Sequence, residues 1–253
     1  MFSAERQKYI VDRLNQSGIV HVKELANDFK TSETTIRRDL LKIEKDGYCT
    51  RVHGGAIRNY SSSVLSDEIE LNVSDKTRLN CNEKIRVCKE AAKLVKDGDC
   101  VFLDGGTTIV PLIDYLIDKR IKIVTHSDLL VRRVRTSVAE IIVVGGKFIS
   151  KYAMTIGPIA YDMMRQFNFD IAFIGCSGVS LNEGQTYTAE METRSVKAIA
   201  MQNATKKYLL IDHSKLTVRG FTKLAKMNEF DAIYCDYVES INANVPENWI
   251  WVK

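Results

Sequence analysis

The sequence predicts an α/β protein in two parts: a winged helix-turn-helix at residues 1–58 and a larger α/β domain at 81–253, joined by a linker at 59–80. Three observations predict it. The first sixty residues hold three short amphipathic helical patterns followed by a Gly-Gly hairpin. From Cys100 onward, short β-rich runs alternate with helical patterns, as in a mostly parallel sheet with helices on both faces. Between them, residues 59–66 carry four Ser and little apolar content, the composition of a connector.

In the first part, Ser3 is placed to cap a helix whose apolar face includes Ile10, Val11 and Leu14 and which stops near Gly18. After a brief β-rich stretch, Val22, Leu25, Ala26 and Phe29 recur at i, i+3, i+4 and i+7, the stripe of a second helix. Lys30-Thr31 turns the chain, and Ser32 caps a third helix with Glu33 in its first turn. At ~100° per residue Ile36, Leu40 and Ile43 share one face. Thr34, Arg38 and Lys45 lie opposite, with Arg37 and Lys42 on the flanks; Gly47 ends the helix. Ser32, Thr34, Thr35, Arg37, Arg38 and Lys42 therefore form a candidate DNA-reading face. Arg forks onto guanine or clamps phosphate, and Thr touches a thymine methyl or a phosphate oxygen. The run 48–52, the turn His53-Gly54-Gly55 and the return 56–58 make a small wing, offering Arg51, His53 and Arg58 to the DNA backbone or minor groove.

After the linker a helical pattern places Ile85, Cys88, Ala91, Ala92 and Val95 on one side, ended by the turn at 96–99. Such a helix packs either on the following domain or on a partner subunit. Strands are expected at 100–103, 121–124, 141–144, 171–174, 208–211 and 232–235, and helices near 109–119, 128–135, 158–167 and 189–203. In open α/β sheets ligands bind beyond the carboxyl ends of strands. Five successive strand ends here bear small, hydroxylated or basic residues: Asp104-Gly105-Gly106-Thr107-Thr108, Thr125-His126-Ser127, Gly145-Gly146-Lys147, Gly175-Cys176-Ser177-Gly178 and Asp212-His213-Ser214-Lys215. Glycines let backbone amides approach an anion and Thr adds hydroxyl donors, which suits a small phosphorylated, hydroxylated ligand. Neither a Gly-Lys-Ser/Thr nucleotide loop nor a Gly-x-Gly-x-x-Gly fingerprint is present.

Composition narrows the classes. With 253 residues, 45% hydrophobic and 27% charged, the chain can bury a core, so disorder is excluded as the main state. No stretch approaches the ~20 uncharged apolar residues a bilayer requires, and the N-terminus lacks a signal pattern, so the reading is cytoplasmic, with no membrane partner. Net charge is +4, of which residues 1–60 (11 basic, 8 acidic) carry most. The six Cys and four His are scattered without ligand spacing, so reduced thiols, no metal and no cofactor are expected.

The strings Val22-Lys23-Glu24-Leu25-Ala26, Ser32-Glu33-Thr34-Thr35-Ile36-Arg37-Arg38-Asp39-Leu40 and Arg51-Val52-His53-Gly54-Gly55-Ala56 resemble the N-terminal signature of the DeoR family of bacterial sugar-responsive repressors. The strand-end motifs, in their order, resemble that family's C-terminal sensor domain. The resemblance implies a fold related to ribose-5-phosphate isomerase and coenzyme A transferases, and a sugar phosphate as effector. It matches Asp104, Gly106, Thr107 and Thr108 to the phosphate loop, Thr125 and Ser127 to the second loop and Gly145-Gly146 to the third. Gly175 and Gly178 match the fourth, Glu192 and Lys197 the following helix, and Asp212, Ser214 and Lys215 the last; Arg78, Glu83 and Lys84 resemble the family's Arg…Glu-Lys. Two positions depart from the pattern, His126 where the family carries Asn and Ser177 where it carries an acidic or amide residue, so ligand identity is not inherited.

The expectation is a regulator, most readily a repressor, whose homo-oligomer (dimer or tetramer) presents two winged modules to repeated half-sites in double-stranded operator DNA. A phosphosugar isomerase tethered to DNA is the competing reading; its proton transfer needs a positioned carboxylate, and the fourth loop offers Cys176-Ser177 instead. An RNA adaptor would want more exposed aromatics than Tyr9, Tyr48 and Tyr60.

Overall fold

The computed structural model describes residues 3–52, 54–58, 73–216, 218–237 and 245–253. The N-terminal part runs α1 (Ser3–Ser17), β1 (Ile19–His21), α2 (Val22–Asp28), α3 (Glu33–Lys45), β2 (Cys49–Val52) and β3 (Gly55–Arg58). Its core is the three predicted stripes brought together: Ile10 and Leu14, Val22 and Leu25, and Ile36, Leu40 and Ile43, closed by Cys49 and Ala56 from the wing. Each such side chain, fully removed from water, contributes about 1.5–3 kcal/mol. Ser3 does not act as a free cap; it begins α1 and donates to Asp39 Oδ1 at 3.2 Å. Asp39 is buried and is held chiefly by Arg6, whose Nε donates to Oδ2 at 2.5 Å, which fixes α1 against α3. The wing has three strands, because β1 pairs antiparallel with β3 (Ile19↔Ile57) on the side away from β2.

The larger part continues as α4 (Val73–Arg78), α5 (Cys81–Ala91), β4 (Cys100–Leu103), α6 (Ile113–Leu116), β5 (Lys122–Thr125), α7 (Asp128–Arg133), β6 (Glu140–Val143), β7 (Lys147–Ile149), β8 (Met154–Ile156) and α8 (Pro158–Met164). It ends with β9 (Phe169–Ile174), β10 (Gly178–Ser180), β11 (Gln185–Thr188), α9 (Met191–Gln202), β12 (Ala204–Ile211), β13 (Thr222–Lys226), β14 (Ala232–Asp236) and β15 (Trp249–Val252). Seven strands form one parallel sheet in the order β15-β14-β12-β9-β4-β5-β6. All six expected strands are in it; β15 is an addition. Alternation along the strands splits the core in two. Phe102, Val124, Ala172 and Leu209 face α8 and α9, whereas Val101, Leu103, Ile123, Phe173 and Leu210 face α5 and residues 110–116.

The chain grows from β4 toward β6 and then restarts at β9 on the other side of β4, so the order reverses between β4 and β9, the place where open α/β sheets open a crevice. Register puts Leu103 beside both Thr125 and Phe173, which levels the ends of β4, β5 and β9. Two smaller units flank that edge: the hairpin β7–β8 and the antiparallel sheet β10-β11-β13, neither foreseen in the sequence. Helix α5 packs on β12 and β14 of its own sheet. Its buried stripe is Lys84, Val87, Cys88 and Ala91, and Ile85, expected inside, is 41% exposed. Among the described residues no helix is long and apolar enough to cross a membrane.

Candidate functional site

On α3, Ser32 caps the helix as expected: its Oγ accepts the Thr35 N–H at 3.2 Å and lies 2.9 Å from the Thr35 hydroxyl. These two hydroxyls therefore serve each other, and Thr35 is half-buried. Thr34 and Arg38 are exposed on the face opposite Ile36 and Leu40, and Arg37 and Lys42 are exposed on its flanks. Arg37 reaches back to Glu33 at 3.2 Å, and Arg51 on the wing is held by Glu44 at 2.6 Å, so both guanidiniums sit in weak surface pairs that a phosphate can replace. Arg58 is half-buried at the base of the wing, and His53 lies outside the described residues.

At the sheet's carboxyl edge a cavity of about 60 Å³ opens between the β4 and β9 loops. Of the expected residues, Gly106, Thr107, Thr108, Gly175, Ser177, Lys197 and Lys215 line it. The two loops touch back to back: a Cβ on Gly175 would stand 3.1 Å from Asp104 Oδ2 and 3.4 Å from the Gly106 Cα, so side chains there would push the loops apart. Beneath them Asp104 is fully buried. Its Oδ2 accepts the Gly175 N–H at 2.9 Å and pairs with Lys197 Nζ, while Oδ1 lies 3.3 Å from His126 Nε2. Burial alone would raise the Asp104 carboxyl, but Lys197, aided by His126, holds it well below the carboxylate range.

Beside the cavity Asp212 is a second buried carboxylate. Its Oδ1 accepts from Asn80 at 2.7 Å and from the Ser214 hydroxyl at 2.5 Å, and Oδ2 has no hydrogen-bond partner among the described residues. Burial opposes its ionisation, yet Lys215 and Lys84 bring it down to about 2. Lys84 is buried on α5, where desolvation lowers it to about 8 against the pull of Asp212; its Nζ donates to the Lys76 carbonyl at 2.5 Å and to Thr107 Oγ1 at 3.2 Å. Lys76, Lys84, Lys197 and Lys215 thus surround the cavity with two more ammonium groups than the carboxylates Asp104 and Asp212 supply. Cys176 lines the wall as a neutral thiol, burial pushing it up to about 12.

The other expected residues are not on the wall. Met154 packs against Gly105, where a Cβ would meet its side chain at 2.5 Å. The Thr125 hydroxyl turns back to the Leu103 carbonyl at 2.8 Å, and Ser127 is buried behind it with its Oγ unpartnered among the described residues. His126 is a strut: its ring spans the Gly105 N–H (3.3 Å) and the Thr155 carbonyl (3.0 Å). Gly145 and Gly146 are exposed because they follow β6, the far edge strand. Gly178 is pressed against the Val218 carbonyl, which a Cβ would approach to 2.0 Å, and Glu192 is exposed on α9. Conversely, Lys76, Tyr152, Met154, Thr188 and Thr193 line the cavity without having been singled out. Lys76 falls in the stretch read as linker, and Tyr152 and Met154 lie on the unforeseen hairpin.

Two family models match the chain, the DeoR-like helix-turn-helix domain over residues 6–62 and the DeoR C terminal sensor domain over 79–237. The uncharacterized HTH-type transcriptional regulator FruR of Bacillus subtilis (strain 168) is 32% identical over 99% of this chain and 98% of its own. The lactose phosphotransferase system repressor of Staphylococcus aureus (strain NCTC 8325 / PS 47) is 28% identical over 98% of each. Among solved structures, ribose 5-phosphate isomerase A of Methanocaldococcus jannaschii aligns with a TM-score of 0.40 at 23% identity, covering 54% of this chain and 55% of that one. With both of its parts matched, the chain belongs to the DeoR family of transcriptional regulators.

Proposed function

We propose that this regulator represses a carbohydrate-utilisation operon and is controlled by a phosphorylated sugar bound at the β4–β9 crevice. The observation that carries the reading is the surplus of ammonium groups around Thr107 and Thr108 at a strand-end loop, the charge and donor set a phosphate dianion requires. That the Staphylococcus aureus relative is a lactose phosphotransferase system repressor supports a sugar operon. Thr34, Arg38 and Lys42 read or clamp operator DNA from α3, and Arg51 and Arg58 hold its backbone from the wing. The division at 1–58, 59–80 and 81–253, the cytoplasmic site of action and a homo-oligomer reading paired half-sites belong to the same proposal. An effector that favours the arrangement unable to hold DNA lowers operator occupancy by shifting populations.

Binding rather than turnover is favoured by the cavity's chemistry: among the described residues those that line it include no Asp or Glu, and Asp104 and Asp212 are buried behind the wall. Aldose–ketose isomerisation needs a carboxylate or equivalent base at the substrate carbon. The test is a gel shift on the chain's own upstream region across a panel of hexose and pentose phosphates. Thr107→Ala and Lys215→Ala are expected to bind operator as wild type and to ignore the sugar phosphate that releases it; normal release of both variants overturns the assignment. Conversion of any panel member by the purified protein favours the isomerase reading.

A further inference from the structure

The cavity is too small for the ligand its chemistry suits. About 60 Å³ holds a phosphate head group, roughly two water volumes, whereas sites for sugar-sized ligands run to about 300 Å³ or more. A sugar-sized ligand therefore either projects from the crevice or displaces a wall, and the walls differ in how they are held. The β4 and β9 loops end strands of the central sheet and are fastened to the buried Asp104. The hairpin residue Met154 is packed on Gly105, and its neighbour Thr155 donates its N–H to the His126 carbonyl at 2.9 Å.

Thr188 and Thr193 belong to β11 and α9 and Lys215 follows β12, whereas Lys76 comes from α4, a six-residue helix none of whose side chains is fully buried. Three of the contacts that fasten it are polar or electrostatic. The Val73 N–H donates to the Lys151 carbonyl at 3.2 Å, the Lys76 ammonium lies 5.4 Å from the centre of the Tyr152 ring, and Lys84 Nζ holds the Lys76 carbonyl. That same Lys84 ammonium also touches the Thr107 hydroxyl of the phosphate loop. An anion at Thr107 competes for the Lys84 charge that holds α4. Release takes Lys76 off the buried Tyr152 ring but draws no α4 side chain out of a fully buried place, so α4 is the wall that gives way at least cost.

Resting on the sugar-phosphate reading above, we propose that α4 is a polar-latched strap. A hexose phosphate displaces it from Tyr152 and Lys151, and a bare phosphate does not. In chain order α4 lies between the DNA-reading module and the sensor sheet, and its displacement is the event that module senses.

Hydrogen exchange on the full-length wild-type chain tests this. The probes are inorganic phosphate and a panel of hexose monophosphates (glucose 6-, fructose 1-, fructose 6- and galactose 6-phosphate). Whichever panel member releases operator is expected to speed exchange at residues 73–80 at least ten-fold, with residues 100–108 unchanged or slower. Inorganic phosphate is expected to leave 73–80 as in the free protein. Release of operator with 73–80 unchanged or further protected overturns the strap while the sugar-phosphate reading stands. Failure of every phosphosugar to bind or release removes that reading and the strap with it. Tyr152→Leu, which keeps an apolar wall but removes the ring under Lys76, is expected to speed exchange at 73–80 without ligand and to lower the effector midpoint several-fold. An unchanged midpoint and unchanged exchange in a folded Tyr152→Leu protein likewise overturn the strap.

Discussion

Asp104→Asn isolates the charge that organises the sensor crevice. Asp104 is fully buried, its Lys197 partner is 4% exposed, and the two come from β4 and α9, 93 residues apart. The amide keeps the shape of the carboxylate and an oxygen for the Gly175 N–H, but it leaves the Lys197 ammonium buried without a counter-charge. Removing one partner of a buried pair costs about 3–5 kcal/mol. Both tryptophans, Trp249 and Trp251, lie on β15 of the sensor sheet, so urea denaturation followed by tryptophan fluorescence reads this domain alone. At pH 7 the variant is expected to lose about 3–5 kcal/mol. The double variant Asp104→Asn/Lys197→Met should recover much of that, because a buried pair replaced by apolar groups is often neutral. The pH dependence has a fixed sign. The folded-state carboxyl lies below its unfolded value of about 3.9, so its stabilisation is fully present above that value and is lost as pH falls toward the folded value. The gap between wild type and variant should be flat from pH 8 to about 5 and narrow below about 4. A gap under about 1 kcal/mol at pH 7, or one that widens on acidification, would refute the reasoning.

Three further outcomes are expected. Arg38→Ala weakens operator binding by about 1–3 kcal/mol in a titrated gel shift; a loss confined to particular operator bases makes Arg38 a base reader, and a uniform loss makes it a phosphate clamp. Ser32→Ala removes the cap of α3 and costs about 1 kcal/mol in the N-terminal module, seen by circular dichroism with no change in tryptophan fluorescence. His213 donates to Asp236, which raises its pKa against a smaller desolvation effect. The pair therefore stabilises fully below the unfolded histidine value near 6.5 and fades as pH rises through the folded value, so the stability difference between wild type and His213→Gln should be largest at pH 6 and shrink by pH 9.

What the sequence disclosed was local. The stripe Ile36, Leu40, Ile43 and the cap Ser32 placed α3, and the apolar runs 100–103, 171–174 and 208–211 placed central strands, since periodicity of 3.6 or a short buried run is written within one element. What it withheld depends on partners far apart. Arg6 reads as an ordinary surface residue until Asp39 arrives beside it, and Lys197 until Asp104 does. The expected Cys88, Ala91, Ala92 and Val95 are buried, but at its start the stripe of α5 runs through Lys84 rather than Ile85, because the buried ammonium has partners that apolar spacing does not reveal. Strand order is likewise invisible in sequence: Gly145-Gly146 has the composition of a ligand loop, but β6 lies at the sheet edge, two strands from β4.

The lysines around the crevice are not equivalent. Lys197 faces a carboxylate held ionised at contact distance and also donates to the Gly175 carbonyl at 3.1 Å, so most of its charge is already spent on joining β4, β9 and α9. Lys84 and Lys215 share Asp212, whose Oδ2 accepts no hydrogen bond from the described residues, and repulsion from Lys215 adds to the desolvation that lowers Lys84. A phosphate beside Thr107 relieves that repulsion, whereas at Lys197 it meets an ammonium matched by Asp104. On the proposed reading the gain on binding therefore concentrates at Thr107, Lys84 and Lys215, the side of the crevice that α4 closes, and that coincidence of charge and loosely held wall lets a phosphosugar act on the segment leading toward DNA.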